Sequence, residues 1–154
     1  MKNKTLIIGI VCLFILVTLT GCGSKTVITT NEFKTKAESL NYEVTDITNQ
    51  YENDENIKEV MIAQSPEGYQ VEFYVYRDEP SATREFNNTK ELFEMSKGNV
   101  SSEASSAMGN YSSYSLTSAG YYMHVCRVEN TLIHVYVDAT YKDSAKTLVN
   151  ELGY

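Results

Sequence analysis

The sequence predicts one α+β domain over residues 30–154: an antiparallel sheet with helices packed on one face, in the order α-βββ-α-βββ-α. Three observations carry this reading. Apolar and polar residues alternate at Val71, Phe73 and Val75, and again through residues 121–137, which is the period of a half-buried strand. Phe33, Ala37 and Leu40, then Ala82, Phe86 and Phe93, then Ala145, Leu148 and Leu152 recur at helical spacing. Turn residues punctuate the runs, most clearly Ser65-Pro66-Glu67-Gly68.

Taken in order, Thr29-x-x-Glu32 is a capping-box pattern, so a first helix is expected from about Thr30 to Leu40, ended by Asn41. Residues 42–48 alternate weakly and read as a strand. Residues 49–56, with QYENDE inside them, read as an exposed acidic loop. Glu52, Asp54 and Glu55 do not suggest calcium, because the glycine and distal glutamate of an EF-hand loop are missing. Residues 57–64 and 69–77 form a hairpin around Pro66 and Gly68, with Gln70, Glu72, Tyr74 and Tyr76 on the face opposite Val71, Phe73 and Val75. Ser81 is expected to cap a second helix that stops at Gly98. Residues 99–110, NVSSEASSAMGN, are small and polar without a period and read as a flexible loop. Strands follow near 111–117, 120–128 and 131–138. Thr140 then caps a last helix that stops at Gly153. The matching helix endings SLNY and ELGY hint at a duplication.

The N-terminus carries a different signal. Lys2 and Lys4 precede an uncharged, mostly apolar run from Leu6 to Leu19, too short for the roughly 20 residues of a spanning helix and suited to a secretory leader. The run ends in Leu19-Thr20-Gly21-Cys22, which resembles the lipobox of bacterial lipoproteins. That resemblance covers residues 1–22. It implies a signal peptide over 1–21, cleavage before Cys22, thioether attachment of a diacylglycerol to its sulfur, and frequently an acyl chain such as palmitate on the new amino group. Two or more chains anchor a protein stably where one is marginal. The expected location is the extracytoplasmic side of the cell membrane, with residues 22–29 as the lipidated Cys and a short tether, of which residues 23–28 reach at most about 20 Å. The chain is similar in this respect to many small bacterial lipoproteins of no defined activity.

Composition narrows the function. The chain carries 20 acidic and 13 basic residues for a formal charge of −7. Removal of the leader takes only Lys2 and Lys4, leaving the domain more acidic still. Such a surface repels nucleic acid and anionic headgroups, so no nucleic-acid partner is expected and membrane contact falls to the lipid. Of 3 cysteines, Cys12 leaves with the leader and Cys22 is lipidated, so Cys126 is a lone thiol and no internal disulfide forms.

The hairpin YYMHVCRVENTLIHVYV holds both histidines and Cys126, and its register decides which residues meet. A two-residue turn at Glu129-Asn130 pairs Val128 with Thr131 and puts His124 and Cys126 on the face of Ile133, Val135 and Val137. A turn with Asn130 in the left-handed region pairs Arg127 with Thr131 instead. Asn tolerates that conformation, and Met123 and Val125 then join the apolar face, so the second register is favoured. It gathers Tyr122, His124, His134 and Tyr136 on one face, with Tyr74 and Tyr76 beside them if the strands share a sheet. These six residues are the candidate face for a protein or small-ligand partner.

Two histidines and Cys126 supply soft ligands, but no CxxC or spaced carboxylate supports a metal, and no cofactor is assigned. No GxSxG, HExxH, SxxK or phosphate loop is present, so the domain reads as non-catalytic. The alternatives are a small metal-dependent factor or hydrolase using the His124/His134/Cys126 face, or a structural accessory subunit of an envelope complex.

Overall fold

The structure is a computed structural model and describes residues 24–154; the leader and Cys22 lie outside the described residues. The elements are α1 (Thr30–Ser39), β1 (Glu43–Asp46), a 3-10 turn (Thr48–Tyr51), β2 (Ile57–Gln64) and β3 (Gln70–Tyr76). Then come α2 (Glu79–Met95), β4 (Ser101–Met108), β5 (Tyr111–Ser118), β6 (Tyr121–Val128) and β7 (Thr131–Asp138). A second 3-10 turn (Ala139–Tyr141) leads into α3 (Lys142–Glu151). Seven antiparallel strands form one sheet in the order β1-β2-β3-β7-β6-β5-β4. Two meanders, β1–β3 and β4–β7, are thus joined along the single β3–β7 seam, and α2 carries the chain from the seam to the far edge.

The α+β class is as expected, but the helices do not gather on one face. Phe33 and Ala37 of α1 and Leu148, Val149 and Leu152 of α3 share a core with Val71, Phe73, Ile133 and Val135. Ala82, Phe86 and Phe93 of α2 pack on the other face against Leu116, Met123, Val125 and Leu132. Both sheet faces are buried at the centre, which is why every residue of β6 after Tyr121 is buried and its alternation reads weakly.

Residues 99–110 are not a loop. Ser101–Met108 form β4, paired with β5 along its whole length from Ser101–Ser118 to Met108–Tyr111. As an edge strand exposed on both sides it needs no apolar face, so Ser and Ala stand where periodicity would have marked a strand. The helix ends also differ in part. Asp78, not Ser81, caps α2, its Oδ1 accepting from the Ser81 N–H at 2.8 Å. Gly98 donates its N–H to Ser118 Oγ at 2.8 Å, and a Cβ there would sit 3.3 Å from that oxygen, so it serves close approach rather than a left-handed stop. Asp138 caps the second 3-10 turn through Thr140, and α3 has no side-chain cap.

The β6–β7 register is the other correction. Val128 pairs with Thr131, Cys126 with Ile133, His124 with Val135 and Val125 with His134. The left-handed residue is Glu129, at φ 50°. That conformation costs an L residue about 1–2 kcal/mol, and the surrounding hydrogen bonds hold it. Glu129 donates its N–H to Asn110 O at 2.9 Å and accepts from Arg127 Nη1 at 2.9 Å. Asn130 is spent on β3 instead: its Nδ2 donates to Tyr76 O at 2.8 Å, and its own carbonyl accepts from Tyr76 N at 2.8 Å.

The expected tether is in part docked. Lys25 exchanges backbone hydrogen bonds with the Asn110 side chain, at 2.9 and 2.8 Å, and Ile28 is buried in the α1–α3 core.

The endings SLNY and ELGY prove to be one helix-ending device used twice. Asn41 at φ 66° and Gly153 at φ 88° follow α1 and α3, and the next residue's N–H returns to Ala37 O and Val149 O, each at 3.1 Å. Both following tyrosines bury their rings and share their hydroxyls, Tyr42 with Tyr69 and Tyr154 with Thr131. A Cβ at position 153 would meet nothing within 4 Å, so only backbone strain distinguishes the two sites. Gly153→Ala is therefore expected to lower stability by about 1 kcal/mol, and Asn41→Gly to leave it unchanged or raise it by some tenths. Urea unfolding measures both, and equal effects of the two substitutions would contradict the account.

Candidate functional site

A cleft of about 370 Å³ opens between α2 and the β2–β3–β7 part of the sheet, roofed by the segment after β1. Alternation along β3 aims Glu72 and Tyr74 at it, and Tyr76 at its end. The antiparallel seam sets His134 directly beside Glu72 and Leu132 beside Tyr74. Helix α2 contributes Glu85, Thr89 and Phe93, one and two turns apart on one face. The 3-10 turn brings Tyr51, with Asp54 just beyond it.

At the floor, His134 Nδ1 lies 3.0 Å from Glu72 Oε2. Because a carboxylate only accepts, the imidazole donates through this nitrogen. The Tyr74 hydroxyl donates to the same oxygen at 2.8 Å, and Gln70 Nε2 donates to Oε1 at 2.8 Å. Burial pushes the Glu72 carboxyl up, yet the three donors outweigh it and hold the group below the usual carboxylate range. Burial, the Glu72 charge and Tyr51 raise the Tyr74 hydroxyl; burial with Glu85 and Asp54 raises that of Tyr76. Both phenols stay protonated at any physiological pH.

The walls are aromatic. Tyr51 meets Tyr74 edge-on at 90° with centroids 5.9 Å apart, Tyr76 lies nearly parallel to Tyr74 at 6.1 Å, and Phe93 stacks on His134 at 5.6 Å. A hydrophobic box with a few fixed polar groups is what small-molecule sites share.

Of the six candidate residues, the structure brings together Tyr74, Tyr76 and His134. Tyr136 lies on the same face but outside the cleft, half exposed beside Tyr121 at 5.1 Å. Tyr122 and His124 are buried on the opposite face with Cys126, so His124 is not across from His134. The six do not form one face, and the His124/His134/Cys126 set is divided by the sheet itself. Among the described residues no group of three His, Cys, Asp or Glu side chains is placed to hold a metal ion. Glu72 shares the alternation of the tyrosines and was legible on their face. Phe93 was marked by the helical spacing of Ala82, Phe86 and Phe93 as a core residue but not as a site residue, whereas Tyr51 and Glu85 arrive through tertiary packing and no local pattern marks them.

No family model matches the chain, and no curated protein matches it. Among solved structures it is similar to the crystal structure of a GTP binding regulator from Thermotoga maritima, with 20% identity over 81% of this chain and 84% of that one, at a TM-score of 0.42. That degree of likeness says nothing of what this chain binds.

His124 makes its own demand on the fold. It is buried beneath α3, and neither ring nitrogen has a hydrogen-bond partner among the described residues. Burial, with Lys146, Lys25 and His134 adding repulsion, pushes its pKa down to about 4 from the ordinary imidazole value of 6.5. The unfolded chain thus takes up a proton below about pH 6.5 that the folded one refuses until about 4. Stability contributed by neutral His124 is full above 6.5 and is lost as pH falls through this window, by at most roughly 3 kcal/mol. His124→Phe is expected to flatten the stability profile between pH 6.5 and 4. A profile that keeps its slope in that variant would exclude His124 as the cause.

Proposed function

We propose that this chain is a membrane-anchored extracytoplasmic lipoprotein whose domain binds a small ligand in the Glu72–His134 cleft without catalysis. The observation that carries the binding reading is a ligand-sized concavity with aromatic walls on a polar floor whose Glu72 carboxylate is held in place by its neighbours. A general base needs a free lone pair and a reacting group in reach. Three donors leave Glu72 little room to accept a further proton, and although His134 keeps an unpaired Nε2, no serine or cysteine lines the cleft beside it: Cys126 is fully buried on the far side of the sheet, where burial pushes its thiol up and keeps it unreactive. The rigid floor suits recognition, since its geometry is set before a ligand arrives.

The anchor rests on the charged, short apolar leader and on Leu19-Thr20-Gly21-Cys22. The docking of Lys25 on the domain fits it, because only two residues then separate Cys22 from Lys25, three Cα–Cα steps of roughly 11 Å together at full extension.

Two measurements test the two halves separately. Mass spectrometry of the native polypeptide is expected to find a chain beginning at Cys22 with a diacylglyceryl thioether; an intact Met1 or an unlipidated residue 22 would remove the anchor. For the cleft, NMR titration with a mixed set of small aromatic, amine and polyol fragments is expected to shift the ring resonances of Tyr74, Tyr76 and His134 first. No shift at those rings at millimolar fragment concentrations would remove the cleft as a site.

A further inference from the structure

Resting on the cleft-binding reading, we infer that the cleft is built for a free organic cation, an alkylated or quaternary ammonium group, and that Tyr51, Tyr74, Tyr76 and Glu85 form its cage. Three features converge on that chemistry. The first is charge: Asp54, Glu72 and Glu85 line the cleft, and no lysine or arginine does. The basic group in the lining, His134, already directs its Nδ1 at Glu72.

The second feature is ring geometry. Tyr51 and Tyr74 stand at right angles, and Tyr76 lies 23° from parallel to Tyr74. Rings set at such angles around one volume can offer it more than one electron-rich face, and it is the face of the ring quadrupole that attracts a cation.

The third feature is the direction of the hydrogen bonds. An anionic ligand needs donors, yet the Tyr74 hydroxyl donates to Glu72 and the Gln70 amide is spent on the same carboxylate. The Tyr51 and Tyr76 hydroxyls remain as neutral donors, but the full charges left facing the cleft are all negative. Asp54 is held by the Asn56 backbone and side-chain amides at 2.9 and 3.1 Å, and Glu85 receives only a 3.4 Å contact from Thr89 Oγ1. Glu85 is therefore the carboxylate most free to face a ligand's charge. A bare metal ion fits less well, since the carboxylates are spread around the cleft rather than converged on one point. A quaternary ammonium carries a diffuse charge in an apolar coat, which matches rings and distant carboxylates together.

The test uses the full-length chain in a non-ionic maltoside detergent, with NMR titration of the aromatic resonances. Choline is the probe, 3,3-dimethylbutan-1-ol its neutral isostere, and phosphocholine the form in which a phosphate follows the same headgroup. Choline is expected to shift Tyr51, Tyr74 and Tyr76 saturably, with the isostere at least roughly 10-fold weaker and phosphocholine weaker than choline because of the three carboxylates. Glu85→Gln and Tyr51→Leu, both at half-buried positions away from the Glu72–His134 floor, are each expected to weaken choline roughly 3- to 30-fold while leaving the spectrum of the opposite face unchanged. Equal binding of choline and its isostere would overturn the cation inference and leave the cleft standing as a neutral site. Phosphocholine binding as tightly as choline would overturn the free-cation source in favour of a headgroup. No choline shift at all, where the fragment set does shift the same rings, would overturn the inference alone; the cleft reading falls only if the fragments fail as well.

Discussion

Asn130 holds the molecule together at the point where it is most divided. The two meanders meet along β3 and β7 alone, and at the end of that seam the Asn130 amide and carbonyl clasp the backbone of Tyr76 from both sides. The same residue occupies the β6–β7 turn, so one side chain ties the register of that hairpin to the register of the seam. Everything that follows depends on this. With Val128 opposite Thr131, His134 comes to lie beside Glu72 and His124 is sent to the other side of the sheet. A slip of one residue between β6 and β7 would bring both histidines to the same face of the sheet.

The strain at Glu129 shows how firmly the register is imposed. Local preference would put Asn, not Glu, in the left-handed position, and a turn judged by its own four residues comes out wrong for that reason. Tertiary hydrogen bonds reverse the preference: Asn130 contributes more by bridging to Tyr76 than by relieving its neighbour's backbone, and Arg127 and Asn110 steady Glu129 where it is. A buried arginine that also pairs with Glu79 at 2.8 Å extends the arrangement to the first turn of α2, so the helix that walls the cleft is registered to the same hairpin.

What the sequence disclosed and what it hid divide along the same physical line. Features fixed within a few residues were legible: the Thr29–Glu32 capping box, the Pro66–Gly68 hairpin, the left-handed glycine after α3, and the alternation that puts Glu72, Tyr74 and Tyr76 together. Features fixed by distant contacts were not. Strand β4 carries no apolar period because it borders the sheet and buries neither face, and β6 carries a blurred one because helices cover it on both. Tyr122 and His124 left the candidate face with the register and Tyr136 stayed on it outside the cleft, while Tyr74, Tyr76 and His134 come together because two of them share a strand and the seam delivers the third. Tyr51 and Glu85 enter through a turn and a helix whose positions only the packed domain determines.

The two ends of the sheet also differ in what an anchor would do to them. Lys25 is bonded to Asn110, Asn110 to Glu129, and Asn130 to Tyr76, so the first described residues, both tight turns and the mouth-side end of β3 are linked in one chain of contacts. The lipid proposed for Cys22 would therefore hold this end, with Tyr76 linked to it, toward the bilayer. A free tether would leave orientation to chance. With the anchor proposed for Cys22, tilting the domain away from the surface would load the Lys25–Asn110 pair first, so that attachment and orientation would be coupled.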